Sequence, residues 1–404
     1  MNSKKIIWIV SELFYPDDTS TGYIMTEIAK SLSQKYEVHV LCASVYDDEL
    51  KATEQLPNEI HVHRISSWGL DKNKLLSRVL RLLVVSFGMW FFGLQRFKRG
   101  QQVFMVTNPA FAIPLFASLK PLKNFRLSIL VHDVFPENLI PGGVLKSKDQ
   151  FAYRIFKKFF NWSYKKADRL FVLGRDMQDL LIEKTEKSDM QVKIIENWAD
   201  VENIKPLDFS SNPIVKELNL SEKIVLLFAG NLGRLQGLHK LFQIINQVEN
   251  ELLHFVFIGN GAAKEELQCF VKENNLQNVT FLKPMPRTDQ EKFLNACHFG
   301  IVTLDERFVG LGVPSKSYNI IAAGKPIFYL GNPKTEIFQL IKETKLGIAL
   351  DPLEEYKVIS TLNYLNFDDA NSYDMKKYKI REIAEDKFSK NFILQKFVEE
   401  LDYE

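Results

Sequence analysis

The sequence predicts an α/β protein that contains two consecutive, doubly wound parallel sheets. Short runs rich in β-branched and aromatic residues alternate with longer segments of helical periodicity, a pattern typical of parallel strands joined by crossover helices. The series stops at a stretch without periodicity and then begins again. A length of 404 residues fits two or three domains of ordinary size.

Seven strands are expected in the first unit. The first strand is followed by a loop that ends at Gly22 and by a helix over Tyr23–Gln34. The strands are predicted at Lys5–Val10, Glu37–Cys42, Glu59–Ile65, Val103–Val106, Leu127–Val131, Arg169–Leu173 and Val192–Ile195.

The stretch Asn197–Lys223 is interpreted as a linker, because it lacks periodicity and contains Pro206 and Pro213. We therefore expect one domain over residues 1–200 and a second over 201–384. Ligands of such sheets bind beyond the carboxyl ends of the strands. Strands of the second unit are predicted at Ile224–Phe228, His254–Ile258, Val279–Leu282, Phe299–Leu304 and Pro326–Leu330.

The composition excludes several classes of protein. Hydrophobic residues make up 46% and charged residues 25%, which rules out a disordered or fibrous chain. Lys and Arg number 52 against 50 Asp and Glu, and a net charge of +2 argues against a nucleic-acid partner. Cys42, Cys269 and Cys297 are far apart, so we expect three buried, reduced thiols of a cytoplasmic protein.

His61 and His63 lie two residues apart in an alternating strand and share one of its faces. Two histidines on one face could bind a metal ion, but the sequence offers no third ligand nearby. We therefore expect an exposed strand and no metal site.

Three glycine loops follow predicted strands and are candidates for phosphate binding. A glycine at the start of a helix, such as Gly22, lets backbone N–H groups approach an anion; a plain turn is the alternative. The loop over residues 230–237, GNLGRLQG, combines glycines with Arg234, a pairing that suits phosphate. The segment GNG at 259–261 is a similar loop or a tight turn. None has the GxGxxG spacing, which disfavours a dehydrogenase.

The segment over residues 305–326 is the most informative. A buried strand ends at Leu304, a glycine-rich loop follows, and a helix is expected to begin near Pro314. Ser315 and Lys316 then lie in the first turn, where the helix dipole disfavours a cation. A phosphate bound between the helix end and Lys316 removes this conflict, and local departures of this kind are expected at functional sites.

In this order, the motifs resemble those of the retaining glycosyltransferases of family four, and within them the bacterial surface-polysaccharide enzymes similar to N-acetylfucosaminyl transferases. The resemblance covers nearly the whole chain. Its matching segments are the opening strand and loop to Gly22, VHDVFPE at 131–137, ADR at 167–169, IENWAD at 195–200, AGNLGRLQG at 229–237, GNG at 259–261, VPSK at 313–316 and AAGKP at 322–326.

The resemblance implies a GT-B fold, in which two Rossmann-like domains face each other across a cleft. The first domain would bind the acceptor and the second the nucleotide-sugar donor, and a C-terminal helix over 385–404 would pack back on the first domain. The implied activity needs no cofactor and no metal ion. Consistent with that, the sequence has no DxD pair at a strand end, and the adjacent Asp17 and Asp18 are interpreted as solvated.

The resemblance also assigns roles to individual residues. Gly22 would face the donor phosphate, His132 would lie beside the transferred sugar, and the backbone around Met285 would hold the base. The glycine loops would bring Gly230 and Gly261 to the donor.

Two charged positions of the family are replaced in this chain. The family's Arg and Lys on the donor diphosphate fall on Asn231 and Gln236, so we expect Arg234 and Lys316 to supply the positive charge. Ser315 would bind the donor beside Lys316.

The paired glutamates of the family are also replaced. The second, which holds the ribose, falls on Asn319, whose amide can bind ribose hydroxyls. The first falls on Leu311, and Glu306 or Asp305 could replace it as the carboxylate beside the sugar.

The activity implied by the resemblance is retaining transfer of a sugar from a UDP-linked donor, an N-acetylated hexosamine, to a saccharide on a polyprenyl-diphosphate lipid in capsule or O-antigen biosynthesis. A nucleotide-sugar epimerase of the same fold and a non-catalytic partner subunit of a glycan-assembly complex are the alternatives. Turnover of the donor without an acceptor would favour the first, and failure to bind any nucleotide sugar would favour the second.

Two segments of the first unit suit a membrane surface. Residues 82–95 form an uncharged stretch of 14 residues between basic flanks, which is shorter than the roughly 20 of a membrane span. Residues 151–169, FAYRIFKKFFNWSYKKADR, predict a basic, aromatic amphipathic helix. Core-packed helices are the alternative for both segments.

The distribution of charge favours the membrane interpretation. Residues 51–175 hold 21 basic and 7 acidic residues, a net charge of +14 that the overall +2 conceals. We therefore expect a cytoplasmic protein bound peripherally to the anionic inner face of the cytoplasmic membrane.

Overall fold

The computed structural model describes residues 4–402, apart from 18, 45–54, 67–74, 142, 144 and 146. The first half of the chain forms a seven-stranded parallel sheet with helices packed against it. Its strands are β1 Ile6–Val10, β2 Glu37–Ala43, β3 Ile60–Ile65, β4 Gln102–Val106, β5 Arg126–Val131, β6 Arg169–Val172 and β7 Val192–Ile194. Its helices are α1 Ser20–Ser33, α2 Leu75–Arg96, α3 Ala112–Lys123, α4 Phe151–Lys166 and α5 Arg175–Thr185.

The second half forms a six-stranded parallel sheet. Its strands are β8 Ile224–Ala229, β9 Leu253–Ile258, β10 Val279–Leu282, β11 Phe299–Thr303, β12 Ile327–Leu330 and β13 Gly347–Leu350. The helices that accompany it are α6 Pro213–Glu217, α7 Leu238–Ile245, α8 Lys264–Glu273, α9 Gln290–Leu294, α10 Lys316–Ala322, α11 Glu336–Thr344, α12 Glu355–Tyr364, α13 Phe367–Asp374 and α14 Lys377–Phe388. The last helix of the chain is α15 Lys390–Leu401.

The strand order determines where a ligand can bind. The first sheet has the order β3-β2-β1-β4-β5-β6-β7, and the second has β10-β9-β8-β11-β12-β13. The winding reverses between β1 and β4 and again between β8 and β11. A crevice opens beyond the carboxyl ends of the strands at such a reversal.

Hydrophobic packing divides the chain at two positions. Trp198 belongs to the cluster that covers the first sheet, whereas Ala199 belongs to a cluster on the second sheet. The chain crosses back near its end, because Phe388 of α14 packs on the second sheet and Ile393 of α15 on the first. The helix expected over 385–404 is therefore two helices divided at Ser389, and α15 is the part that packs on the first sheet.

The strands of the structure follow the predicted runs closely. Twelve of them lie within one residue of the predicted bounds at each end. The sequence prediction missed β13, a strand of four residues, and α6, which lies inside the predicted linker. Asn212 caps α6 by accepting a hydrogen bond from the Ile214 N–H at 3.0 Å, and Pro213 occupies its first turn.

The expectation of three buried cysteines is correct for two of them. Cys42 and Cys297 are buried, whereas Cys269 is exposed on α8. Burial raises the pKa of Cys42 to about 11 and that of Cys297 to about 12, so both remain thiols at neutral pH.

Helix α2 contains the uncharged stretch predicted at 82–95. Its side chains are partly buried, because Val85 and Met89 pack against the first sheet while Phe87 and Phe91 are exposed. Within the described part of the chain, no helix combines the length and the apolar character needed to cross a bilayer.

Candidate active site

A cleft of about 650 Å³ lies between the two sheets. Its walls come from the segments that follow β1, β5, β7, β8, β9, β10 and β11, so both halves of the chain contribute. Eight of the residues singled out in the sequence line it: His132, Gly230, Asn231, Gln236, Met285, Ser315, Lys316 and Asn319.

Lys316 places a basic group in the wall of this cleft. Its Nζ lies 3.4 Å from the centroid of the Phe228 ring and donates a hydrogen bond of 3.4 Å to Gln236 Oε1. Among the residues that the structure describes, no carboxylate pairs with it. Burial lowers the pKa of Lys316 to about 7. An anion bound beside Nζ would favour the charged form and raise this pKa.

Glycine allows the loop after β8 to approach Lys316. Gly230 has a φ of +138°, and a Cβ added there would lie 3.3 Å from Lys316 Nζ. A Cβ on Gly259 would lie 1.9 Å from the Gly230 carbonyl oxygen, and a Cβ on Gly261 would lie 2.4 Å from the Leu232 carbonyl oxygen. Gly261, predicted to bind the donor, is not part of the cleft wall. It instead packs closely against the Leu232 backbone in the loop after β8.

His132 follows β5 and carries an unpaired nitrogen. Its Nε2 is buried and has no hydrogen-bond partner among the described residues. Burial lowers the pKa of His132 to about 4, so the imidazole is neutral at pH 7. An unpaired buried polar atom costs about 1–3 kcal/mol. A ligand hydroxyl in the cleft could remove this cost.

The loop after β11 reaches across to this histidine. The Val134 N–H donates to the Leu311 carbonyl at 3.1 Å, and a Cβ on Gly312 would lie 3.1 Å from the His132 carbonyl oxygen. This backbone contact brings His132 of the first half and Lys316 of the second half to the same cleft.

Asp133 lines the cleft beside His132 and was missed by the sequence analysis. Burial raises the pKa of Asp133 to about 6, although a hydrogen bond with Asn138 opposes the shift. The N–H groups of His132 and Asp133 both donate to Thr107 Oγ1, at 3.1 and 3.2 Å. The strand end is thereby fixed, and Asp133 offers a carboxylate that titrates near neutral pH.

Asn319 has two protein partners. Its Oδ1 accepts a hydrogen bond from the Asp200 N–H at 3.0 Å, and its Nδ2 donates to Gln290 Oε1 at 3.2 Å. One N–H and one lone pair remain for a ligand. Gln290 also lines the cleft, so both amides of this pair border the space in which a ligand could bind.

Tyr23 and Arg287 close one side of the cleft. Tyr23 lies on α1, and Arg287 begins a short helical turn after β10. The guanidinium carbon of Arg287 lies 3.6 Å from the centroid of the Tyr23 ring. The sequence offered no signal for this contact, since it joins residues from different sheets.

Gly22 has a local role in the cap of α1. Its N–H donates to the side chain of Thr19 at 3.1 Å, and a Cβ added to it would lie 2.5 Å from the Asp17 carbonyl oxygen. The helix therefore begins at Ser20, earlier than predicted. Gly22 itself does not line the cleft, but its neighbours Ser20 and Tyr23 do.

The carboxylates proposed to replace the missing family glutamate lie outside the cleft wall. Glu306 is exposed on a short helical turn, and it is not among the residues that line the cleft. Asp305 binds Arg307 through both carboxylate oxygens, at 2.7 and 2.8 Å. The expected catalytic role of Glu306 is therefore not supported. The backbone of Arg234 lies in the turn Arg234–Gln236, but its side chain lies outside the described part of the structure.

Comparison with known proteins identifies the family. Residues 22–203 match the model of Glycosyltransferase Family 4, and residues 211–352 match that of Glycosyl transferases group 1. The probable glycosyltransferase WbjE of Pseudomonas aeruginosa is 32% identical over 394 residues, which cover 97% of this chain and 96% of WbjE. The chain belongs to glycosyltransferase family 4.

Two further proteins are similar to this family 4 glycosyltransferase, one in sequence and one in fold. The putative colanic acid biosynthesis glycosyl transferase WcaI of Escherichia coli K12 is 24% identical and covers 83% of this chain and 86% of WcaI. The crystal structure of Anabaena Alr3699/HepE in complex with UDP has a TM-score of 0.70 and 15% identity, and it covers 98% of this chain and 99% of HepE. The fold is GT-B, with one parallel-sheet domain on each side of the cleft.

Proposed function

We propose that this family 4 glycosyltransferase transfers an N-acetylated hexosamine from a UDP-linked donor, with retention of configuration, to a polyprenyl-diphosphate-linked saccharide. The product would serve surface-polysaccharide biosynthesis, such as capsule or O-antigen assembly. The observation that carries the proposal is the environment of Lys316. This residue lines the cleft, and its amine lies beside the backbone of Gly230, which has no side chain to block an anion. A diphosphate leaving group is the anion that suits this position.

In the proposed reaction, the bond between the sugar C1 and the phosphate oxygen breaks, and its electron pair remains on the diphosphate. The acceptor hydroxyl then forms a bond to C1 on the same face, and its proton passes to the leaving phosphate. The negative charge on the diphosphate grows as the bond breaks. The Lys316 ammonium would stabilise that charge.

His132 is proposed to bind a hydroxyl of the transferred sugar. His132 lines the cleft, its buried Nε2 has no partner among the described residues, and its neutral imidazole can donate or accept one hydrogen bond. Asp133 follows it in the wall, and its carboxylate can accept a hydrogen bond from the same sugar.

The nucleotide is proposed to lie along the second domain. The backbone near Met285 would contact the base, and the remaining amide groups of Asn319 and Gln290 would bind the ribose. The choice of uridine is supported by the family resemblance and by the Anabaena protein of similar fold, whose structure contains UDP.

The first domain is proposed to bind an anionic membrane through an exposed surface of α4, which we call the aromatic face: Phe151, Ile155, Phe159 and Trp162. These side chains are 79%, 49%, 49% and 38% exposed, which argues against the alternative of a core-packed helix. Their spacing places them on one side of the helix. Lysines and an arginine of the same helix are also exposed and would interact with lipid phosphates: Arg154, Lys157, Lys158, Lys165 and Lys166.

The membrane surface is proposed to extend onto the neighbouring helices. Helix α3 packs between α2 and α4, and Leu122 at its end is 70% exposed. On α2, Phe87 and Phe91 lie one turn apart and are 55% and 56% exposed. A surface of this kind would hold the enzyme where a lipid-linked acceptor resides.

A donor screen tests the proposed reaction. Purified protein is mixed with UDP, GDP and dTDP sugars, and a donor is recognised by a rise in the unfolding midpoint. The best donor is then incubated with a synthetic polyprenyl-diphosphate saccharide, and the anomeric configuration of the product is determined by NMR.

The outcomes distinguish the three candidate functions. Sugar transfer that needs the lipid-linked acceptor and retains the configuration supports the proposal. Conversion of the donor to an epimer without acceptor would favour an epimerase, and the absence of any donor binding would favour a non-catalytic subunit.

A further inference from the structure

A second group of chemically reactive side chains lies away from the cleft, at the edge of the first sheet. Strands β2 and β3 are parallel, and their register places His39 beside His61 and Leu41 beside His63. Side chains two residues apart share a face, so Glu37 lies on the same side of β2 as His39. Strand β3 is the edge strand and pairs only with β2.

The donor atoms of three of these residues have the spacing of a metal site. Glu37 Oε1 lies 3.2 Å from His39 Nε2 and 3.6 Å from His61 Nε2, and all three atoms lie within 4.8 Å of one another. Zinc bonds of about 2.0–2.2 Å in a tetrahedral site separate neighbouring ligand atoms by roughly 3.3–3.6 Å. We propose that Glu37, His39 and His61 bind one Zn²⁺ ion, with the fourth position open to water.

His63 makes a hydrogen bond to His39, one of the proposed ligands. Its Nε2 lies 3.1 Å from His39 Nδ1, and the planes of the two rings are nearly parallel, with an interplanar angle of 5°. When Nε2 of His39 binds the metal, its Nδ1 carries the proton and donates a hydrogen bond to His63 Nε2. Metal-bound histidines commonly make such a hydrogen bond, which fixes the tautomer and the orientation of the ring.

Two of the proposed ligands are accessible from solvent. The side chains of Glu37 and His61 are 41% and 45% exposed, so an ion can enter from solvent.

The site corrects an expectation from the sequence. His61 and His63 were expected to lack a third ligand, but the register of β2 and β3 supplies His39 and Glu37. An ion held there would bind the edge strand β3 to β2, so its role would be structural and independent of sugar transfer.

Metal binding by the purified, metal-free protein tests the proposal. Equilibrium dialysis against Zn²⁺ gives the stoichiometry, and Co²⁺ serves as a spectroscopic probe because tetrahedral Co²⁺ has strong visible absorption. The test variant is His61→Ala, which removes an exposed ligand. The control is His239→Ala, because His239 is also 45% exposed and lies 3.6 Å from a carboxylate, that of Glu266.

We expect one ion per molecule in the unmodified protein and in the His239→Ala variant, and at least a tenfold loss of affinity in His61→Ala. Zn²⁺ should also raise the unfolding midpoint of the unmodified protein but not that of His61→Ala. His63→Ala should weaken binding by about 10- to 100-fold, as expected for the loss of a supporting hydrogen bond. Absence of stoichiometric binding, or equal affinity in His61→Ala, would overturn the proposal.

Discussion

The guanidinium carbon of Arg287 lies 3.6 Å from the centroid of the Tyr23 ring, and this contact joins the two walls of the cleft. Tyr23 belongs to the first helix of the first domain, and Arg287 belongs to the second domain. Both residues line the cleft. The contact therefore links the two domains at the cleft.

Removal of this contact should weaken donor binding. A cation–π interaction at an exposed position contributes about 0.5–1 kcal/mol. Arg287→Ala should therefore raise the donor KM by about 2- to 5-fold, and steady-state kinetics measure the change. Lys342→Ala is the control, because Lys342 lies 5.4 Å from the Phe338 ring within one domain. An unchanged KM for Arg287→Ala would exclude a role in closure.

Loss of the Lys316 charge should lower turnover. Groups that stabilise developing charge in a shielded site typically contribute a factor of 10²–10³ in kcat, so we expect a decrease of that order for Lys316→Ala. The measurement is kcat at saturating donor. Lys334→Ala removes an exposed lysine of the same domain and should leave kcat unchanged. Unchanged turnover in Lys316→Ala would disprove the role.

The pKa of Lys316 predicts how donor binding changes with pH. Burial lowers this pKa to about 7, so the free enzyme loses its ammonium as the pH rises through that value. Donor affinity should therefore fall above pH 7, and binding at pH 8 should take up a proton. Calorimetry in two buffers of different ionisation enthalpy measures this uptake. A nucleotide sugar is the suitable ligand, because its diphosphate diester does not titrate in this range.

The Lys316→Arg variant is the control for the pH experiment. An arginine remains charged at all these pH values, so the dependence above pH 7 should disappear. Asp133, with a pKa of about 6, is present in both proteins, so its titration contributes equally to both sides of the comparison. Persistence of the same pH dependence in Lys316→Arg would assign it to another group.

The sequence was sufficient to predict twelve of the thirteen strands that the structure describes and most of the glycine loops. Hydrophobic runs fix the strands, and glycines after strands mark where the backbone must approach closely, as Gly230 does beside Gly259. The contacts that depend on register or on the docking of two sheets could not be predicted. Arg287 over Tyr23 and His39 beside His61 are of this kind, since no local pattern relates the residues in each pair.

His132 and Glu306 illustrate a second limit. The resemblance pointed to His132, but only the structure indicates that its Nε2 is buried without a partner. Glu306 seemed a suitable carboxylate from its position in the chain, yet the turn Glu306–Phe308 directs it to solvent. Burial and direction depend on the folded chain and decide which polar residues can act.

Replacement of His132 should raise the stability of the protein but lower its activity. His132→Phe removes the unpaired Nε2, whose burial costs about 1–3 kcal/mol, so the unfolding midpoint without ligand should rise. A neutral hydrogen bond to the sugar contributes about 0.5–1.5 kcal/mol, so kcat/KM should fall by about 2- to 10-fold. Thermal unfolding and steady-state kinetics measure the two effects.

His254→Phe provides the matched control. His254 Nε2 is paired with Thr280 Oγ1 at 2.8 Å, so the same substitution there breaks a hydrogen bond and should lower the midpoint. It should leave kcat/KM unchanged, because His254 does not line the cleft. A lower unfolding midpoint in His132→Phe would contradict the expectation that burial of the unpaired Nε2 destabilises the fold.

Membrane binding should depend on the aromatic face of α4. Phe151 and Phe159 are 79% and 49% exposed, so Phe151→Ser and Phe159→Ser together should leave the fold intact. Burial of each phenylalanine in lipid contributes about 1.5–3 kcal/mol, and the double variant should therefore bind anionic vesicles at least 100-fold more weakly. Flotation with vesicles that contain an anionic phospholipid measures the bound fraction.

The control for this experiment is the double variant Tyr356→Ser and Tyr364→Ser. These tyrosines are 87% and 81% exposed on α12 of the second domain, so the same number of exposed aromatic side chains is lost away from the proposed surface. This variant should float as the unmodified protein does. Raising the salt concentration should weaken binding of the unmodified protein, because the Debye length falls from about 10 Å at 0.1 M to about 3 Å at 1 M. Failure of the unmodified protein to float at low salt would remove the membrane surface from the proposed function.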